Sequence, residues 1–147
     1  MLKPGGICAL STWKTLGWIP YFRVAIDTIP GAPKFPETEV FMTSLGKGDW
    51  HRAAYAEHEL RRHGFQNIEL EVKAFVFPIE SPAAFAELFS AAVMQFTLKF
   101  WNEEERDKYG DLVKPALRQH LSEKFGEGNV VEFLMTSILA SACKPID

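Results

Sequence analysis

The sequence predicts an α/β fold, and three observations carry that expectation. Ile68, Leu70 and Val72 alternate with Glu69, Glu71 and Lys73, the period-two pattern of a half-exposed strand. Residues 130–142 form an apolar run rich in β-branched and aromatic side chains, the pattern of a strand buried on both faces. Around these, stretches with apolar residues at helical spacing are bounded by capping residues, prolines and glycines. With 147 residues, 47% hydrophobic and 13% aromatic, the chain can bury one core and is expected to be a single domain over 1–147.

The elements follow in order. Met1-Leu2-Lys3-Pro4-Gly5-Gly6 is a tight turn feeding Ile7-Cys8-Ala9-Leu10-Ser11-Thr12-Trp13, which reads as a buried strand. Trp18 to Ile26 reads as a short helix, with Pro20 in its first turn, Ile19, Phe22, Ile26 and Ile29 on one face, and Pro30-Gly31 as its stop. Ala32 to Gly48, punctuated by Pro33, Pro36, Gly46 and Gly48 around Val40, Phe41 and Met42, is expected to be an ordered covering loop. Asp49 can cap a helix from Trp50 to His63, closed by Gly64 with Phe65 folding back. The alternating strand then runs from Asn67 to Phe77.

Ser81-Pro82 starts a helix with Phe85, Leu88, Phe89, Ala92, Val93 and Phe96 on one face and Met94, Leu98 and Trp101 on others, so it needs cover on more than one side. Asn102 with Glu103, Glu104 and Glu105 caps a further helix, favoured by its acidic first turn. That helix is expected to break near Gly110 and Pro115 and to resume through Leu117, Leu121 and Phe125 to Gly126. The apolar run over 130–142 is the last strand.

Composition excludes several functions. A net charge of -3 with acids and bases interspersed gives no basic stripe for a phosphate backbone, so no nucleic-acid partner is expected. Two cysteines far apart in apolar contexts make neither a disulfide framework nor a metal site, and His51, His58 and His120 match no zinc spacing, so no metal is expected. No apolar run approaches the roughly 20 residues that span a bilayer. The first residues lack the order of a signal peptide, so the chain is expected to be cytoplasmic, without membrane contact.

The Leu2-Lys3-Pro4-Gly5-Gly6 turn with its strand resembles the middle of a class I S-adenosylmethionine-dependent methyltransferase, where such a turn enters the fifth strand. The helix end His63-Gly64-Phe65 leading into the 67–77 strand resembles the family's approach to its sixth strand. The resemblance implies a truncated Rossmann-like methyltransferase sheet of the fifth, sixth and seventh strands, in the order first, third, second, the last antiparallel and between the other two. It also implies a helical lid insertion over about residues 81–126. The glycine-rich turn and the acidic ribose contact would lie upstream of Met1, so the expectation is an acceptor side without S-adenosylmethionine or another cofactor. A first strand lacking its parallel neighbour leaves Ile7 to Thr12 as an open edge, from which a homodimer is expected.

Candidate site residues carry two readings each. Trp13, Trp18, Tyr21 and Phe22 follow the carboxyl end of the first strand, where open α/β sheets bind ligands, yet aromatic residues also serve plain core packing. Phe41, Met42 and Trp50 with His51 are expected as a wall, and Met94, Phe96, Leu98 and Trp101 as the cover, of a pocket for an apolar, polycyclic or polyketide-like small molecule. His51, beside Asp49 and Trp50 at a helix start, is the best general acid/base candidate, since a helix N-terminus favours the neutral ring; an exposed first-turn residue is the other reading. His120 is the candidate from the lid, whereas His58 and His63 sit in a charged stretch that reads as a solvated face.

Two function classes follow. One is a methyltransferase-like enzyme of secondary-metabolite type that performs a non-methylating step such as cyclisation, isomerisation or dehydration. The other is the acceptor half of a split or truncated methyltransferase, or a non-catalytic binding module.

Overall fold

The computed structural model describes residues 2–146, so Met1 of the opening turn and Asp147 lie outside the described residues. The elements are β1 (Ile7–Leu16), α1 (Ile19–Asp27), α2 (Thr38–Ser44), α3 (Ala53–Arg62), β2 (Gln66–Ile79), α4 (Pro82–Leu88), α5 (Ser90–Phe100), α6 (Glu103–Phe125) and β3 (Val131–Cys143). The strands form one sheet in the order β1-β3-β2, as the sequence led us to expect. β1 and β3 are antiparallel from Ile7 opposite Cys143 to Leu16 opposite Met135, with a β-bulge at Lys14 between Trp13 and Thr15. Two compact units divide the chain: one of residues up to 17, 38–75 and from 134 on, the other of 18–37 and 76–133.

In the first unit, β1 is the sheet edge that the resemblance implies, but it is not the buried strand its pattern suggested: only Leu16 is buried, while Ile7 and Trp13 are 69% and 40% exposed. The core here is Leu60, Ala140 and Ala142, with Leu10, Phe65, Ile68 and Leu70 packed against it. Phe65 reaches that core because α3 closes as a Schellman turn: Gly64 is left-handed (φ 79°), its N–H donates to Arg61 O, and Phe65 N–H donates to Leu60 O at 3.0 Å. The start of α3 differs from expectation. Asp49 offers no side-chain cap; its carbonyl accepts from Arg52 N–H at 2.8 Å, so residues 49–52 form a turn and Arg52 takes the N-cap position. The segment read as loop contains α2, which forms because Phe41 and Met42 find burial (5% and 6% exposed) while Val40 faces out.

The cysteines are neighbours without being partners. Cys8 is paired with Ala142 and Cys143 with Ile7; paired residues share a face and consecutive ones alternate, so the two thiols point to opposite sides of the sheet.

The second unit is helical and aromatic. α1, α4 and α5 pack on α6, whose Val113, Leu117 and Leu121 are fully buried at i, i+4, i+8. Ile19, Phe22 and Ile26 share the buried face of α1, as their spacing predicts. The expected single helix after Ser81 is two: Ser81 Oγ accepts from Ala84 N–H at 3.1 Å, and the helix breaks at Phe89, whose ring lies 4.3 Å from Phe85 and 5.4 Å from Trp18. α6, by contrast, runs unbroken for 23 residues through Pro115. The carbonyl of Asp111, to which Pro115 cannot donate, belongs to an exposed residue, and the buried stripe on the other face carries the helix on past the site. A full capping box, Asn102 and Glu105 each bonding the other's backbone N–H, starts that helix.

β3 is buried on both faces only in part. Val131, Phe133 and Met135 alternate with exposed Glu132 and Leu134, after which Ser137 and Ile138 are buried consecutively. Among the described residues, no helix is long and apolar enough to cross a membrane, and no group of three His, Cys, Asp or Glu side chains is placed to hold a metal ion.

Candidate active site

In the first unit the chain passes Thr12 and Trp13 on β1, bulges at Lys14, and returns as α2 and the 45–51 turn. A bulge re-aims side chains and twists an edge. Together these segments line an open-mouthed cavity of about 280 Å3, with Trp13, Met42, Leu45 and Trp50 as apolar walls and Thr12 and His51 as polar members. The turn is held from several directions. Trp50 Nε1–H donates to Lys47 O at 3.0 Å, and its ring meets Tyr55 edge-on at 5.4 Å. Gly48 lines the cavity in the left-handed region (φ 96°) with the Tyr55 hydroxyl where a Cβ would sit, so no other residue fits there without moving Tyr55.

His51 is the polar centre of this cavity. Its side chain is 8% exposed, and its Nε2 lies 3.0 Å from Oε1 of Glu39 on α2. The same oxygen accepts from the Arg52 guanidinium. The bond to His51, then that to Arg52, holds the Glu39 carboxyl below its usual range, and Glu39 in turn raises Arg52. Asp49 is half-buried beside this network and touches it through its backbone turn to Arg52. Glu39 was missed in the sequence: it lies twelve positions from His51 in a segment read as loop, and only the fold of α2 brings the two together. Ser137, opposite Trp13 on β3, has a buried hydroxyl with no hydrogen-bond partner among the described residues.

Apart from Phe41, the remaining candidates belong to the second unit. Trp18, Phe22, Phe96 and Trp101 are 8%, 0%, 3% and 3% exposed, their rings packed on other aromatic rings; Phe96 stacks on Phe35 at 4.8 Å. Tyr21 donates from its hydroxyl to Glu132 O at 2.7 Å, and burial raises its pKa. Met94 and Leu98 are exposed and line a groove between α5 and α6 with Val93, Thr97, Arg106 and Lys114. Phe41, in the first unit, is buried beside Met42 on α2.

His120 is half-buried on α6, with its ring 6.2 Å from that of Tyr21. Burial, then the charge of Lys124, lowers its pKa below the ordinary 6.5. A base whose folded pKa is depressed leaves the unfolded chain holding more protons. Its contribution to stability is therefore complete above 6.5 and is lost as pH falls through the folded value. His120→Gln is expected to flatten that part of the dependence of Tm on pH; an unchanged slope below 6.5 would show that His120 does not titrate in this way.

No family model matches the chain. Among curated proteins it is similar to "Methyltransferase tpcH" of Aspergillus fumigatus, 31% identical over 147 residues, covering 99% of this chain and 51% of the relative. It is 28% identical over 145 residues to "Acetylaranotin bis-thiomethyltransferase" of Aspergillus terreus, and 29% over 147 residues to "Methyltransferase ktnA" of Aspergillus niger. These matches cover 99% of this chain and 52% and 47% of the relatives. The chain is methyltransferase-like in sequence along nearly its whole length, and it spans about half the length of the curated relatives it matches.

Proposed function

We propose that this chain forms the acceptor side of a methyltransferase-like protein and holds an apolar small molecule, of one or two rings, with its reactive hydroxyl or thiol against His51. One observation carries this reading: the first-unit cavity joins two tryptophans and a methionine to a shielded histidine bonded to a carboxylate. Aromatic walls supply area and shape, and methionine adapts to irregular guests. A volume of about 280 Å3 suits a small ring system rather than a large polycycle. The similarity to proteins named methyltransferases supports a methyl acceptor, and the one named for bis-thiomethyl transfer supports a thiol in that role.

The methyl donor of the resembled family does not fit this cavity. None of the residues lining it is a carboxylate able to take ribose hydroxyls, and the space suits the acceptor alone, so the chemistry assigned to these residues is binding and proton handling. The second reading, a non-methylating isomerisation, cyclisation or dehydration, is favoured by the same pair of features, because an apolar wall and one acid/base group suffice for a proton shift. Formation of a rearranged or dehydrated product from the acceptor by this chain, with no methyl donor added, decides for the second reading; an acceptor that is bound and returned unchanged decides for the first.

The binding part is tested with 2-naphthol, followed by quenching of tryptophan fluorescence. Trp13→Ala is expected to weaken binding about 10-fold, from lost ring contact and area. Met94→Ala, in the second unit, is expected to leave it unchanged. Equal affinity in parent and Trp13→Ala would overturn the reading.

A further inference from the structure

Glu39 decides which nitrogen of His51 is free to take a proton. Its Oε1 faces both His51 Nε2, at 3.0 Å, and the Arg52 guanidinium. An ionised carboxylate only accepts, so the ring nitrogen facing it must donate. In the neutral ring the proton is therefore on Nε2 and the lone pair on Nδ1. Exposure divides the network in a useful way: the His51 side chain is 8% exposed, while those of Glu39 and Arg52 are each 56% exposed. The ring is shielded from competing water, and the carboxylate that orients it stays hydrated and ionised.

We propose that Glu39 is the positioning residue of a proton-acceptor site whose accepting atom is His51 Nδ1, serving aromatic or enolic hydroxyls and thiols. This rests on reading the cavity as an acceptor pocket. In the step, the O–H or S–H bond of the acceptor breaks, the proton forms an N–H bond at Nδ1, and the electron pair stays on oxygen or sulfur. The resulting imidazolium shares its charge with Glu39, which remains ionised throughout. Arg52 balances that carboxylate while the ring is neutral, so the charge on Glu39 is compensated both before and after transfer. Arrangements in which a carboxylate fixes the tautomer of a histidine base are a general device, recognised by geometry and not by sequence position.

The test uses 5-nitrobenzisoxazole and the full chain. Ring opening of this probe begins with removal of its ring C–H and breaks the N–O bond to give a coloured nitrile phenolate, so it reports a base in an apolar cavity. Saturable ring opening is expected, with Glu39→Ala lowering kcat roughly 10- to 100-fold while KM holds. Glu39→Asp, which keeps the carboxylate, recovers part of the loss. Nitrogen-15-edited spectra supply a readout without turnover: a hydrogen-bonded Nε2–H resonance of His51 is expected in the parent and lost in Glu39→Ala. A His51-dependent parent rate that survives in Glu39→Ala, with the Nε2–H resonance retained, overturns the role of Glu39 alone. A parent rate no greater than that of free imidazole overturns the acceptor-pocket reading, and the proposal with it.

Discussion

Replacing His51 with alanine is expected to lower kcat for ring opening of 5-nitrobenzisoxazole by roughly 100-fold or more, the usual range for losing a general acid or base. The fold should survive the change. His51 precedes α3 rather than lying within it, and the link between α2 and the 49–52 turn keeps its Arg52–Glu39 pair. Circular dichroism and Tm close to the parent's are therefore expected beside the lost rate. If His51→Ala kept full turnover while His120→Ala abolished it, the acid/base role would move to α6; if neither mattered, acid/base chemistry would be the wrong account and a binding module the better one.

Gly17→Ala is expected to be among the most damaging single changes to the fold. At the junction of β1 and α1, a Cβ on Gly17 would stand 1.9 Å from Leu134 O, 2.8 Å from its carbonyl carbon and 2.9 Å from its nitrogen. All three are backbone atoms of β3, which cannot swing aside as a side chain can. The strands must separate locally, at a cost of about 3 kcal/mol or more. For a chain of this size that lowers Tm by about 10 °C. Gly128→Ala is the control, because a Cβ there meets nothing within 4 Å. Melting curves of the two variants that coincide would mean β3 does not approach Gly17 as described.

Much of this architecture was legible in local chemistry. The Schellman turn at Gly64 and Phe65, the serine cap before Pro82, the capping box from Asn102 to Glu105 and the strand order all follow from residues acting within a few positions of one another or from the resemblance. The misreadings share a cause. Pro115 was expected to break α6, but the buried stripe of Val113, Leu117 and Leu121 outweighs one missing hydrogen bond. The open edge at β1 follows from the resemblance, but its exposure does not follow from its pattern, because apolarity alone does not say whether anything covers the faces of a strand. α2 was invisible because seven residues among prolines and glycines carry too little periodicity, and its helical form depends on burying Phe41 and Met42. The site was half legible for the same reason. His51, Trp13, Met42 and Trp50 stood out by type, and they line one cavity, whereas Glu39 needed the tertiary fold to reach His51.

Whether the first-unit cavity receives the aromatic acceptor is read from a map of amide and side-chain chemical-shift changes as 2-naphthol is titrated into the isotope-labelled chain. Changes centred on Trp13, Met42, Trp50 and His51, saturating together with a single affinity, are expected. Changes centred instead on Met94, Thr97 and Leu98 of α5, with His51 unmoved, would contradict an acceptor in that cavity.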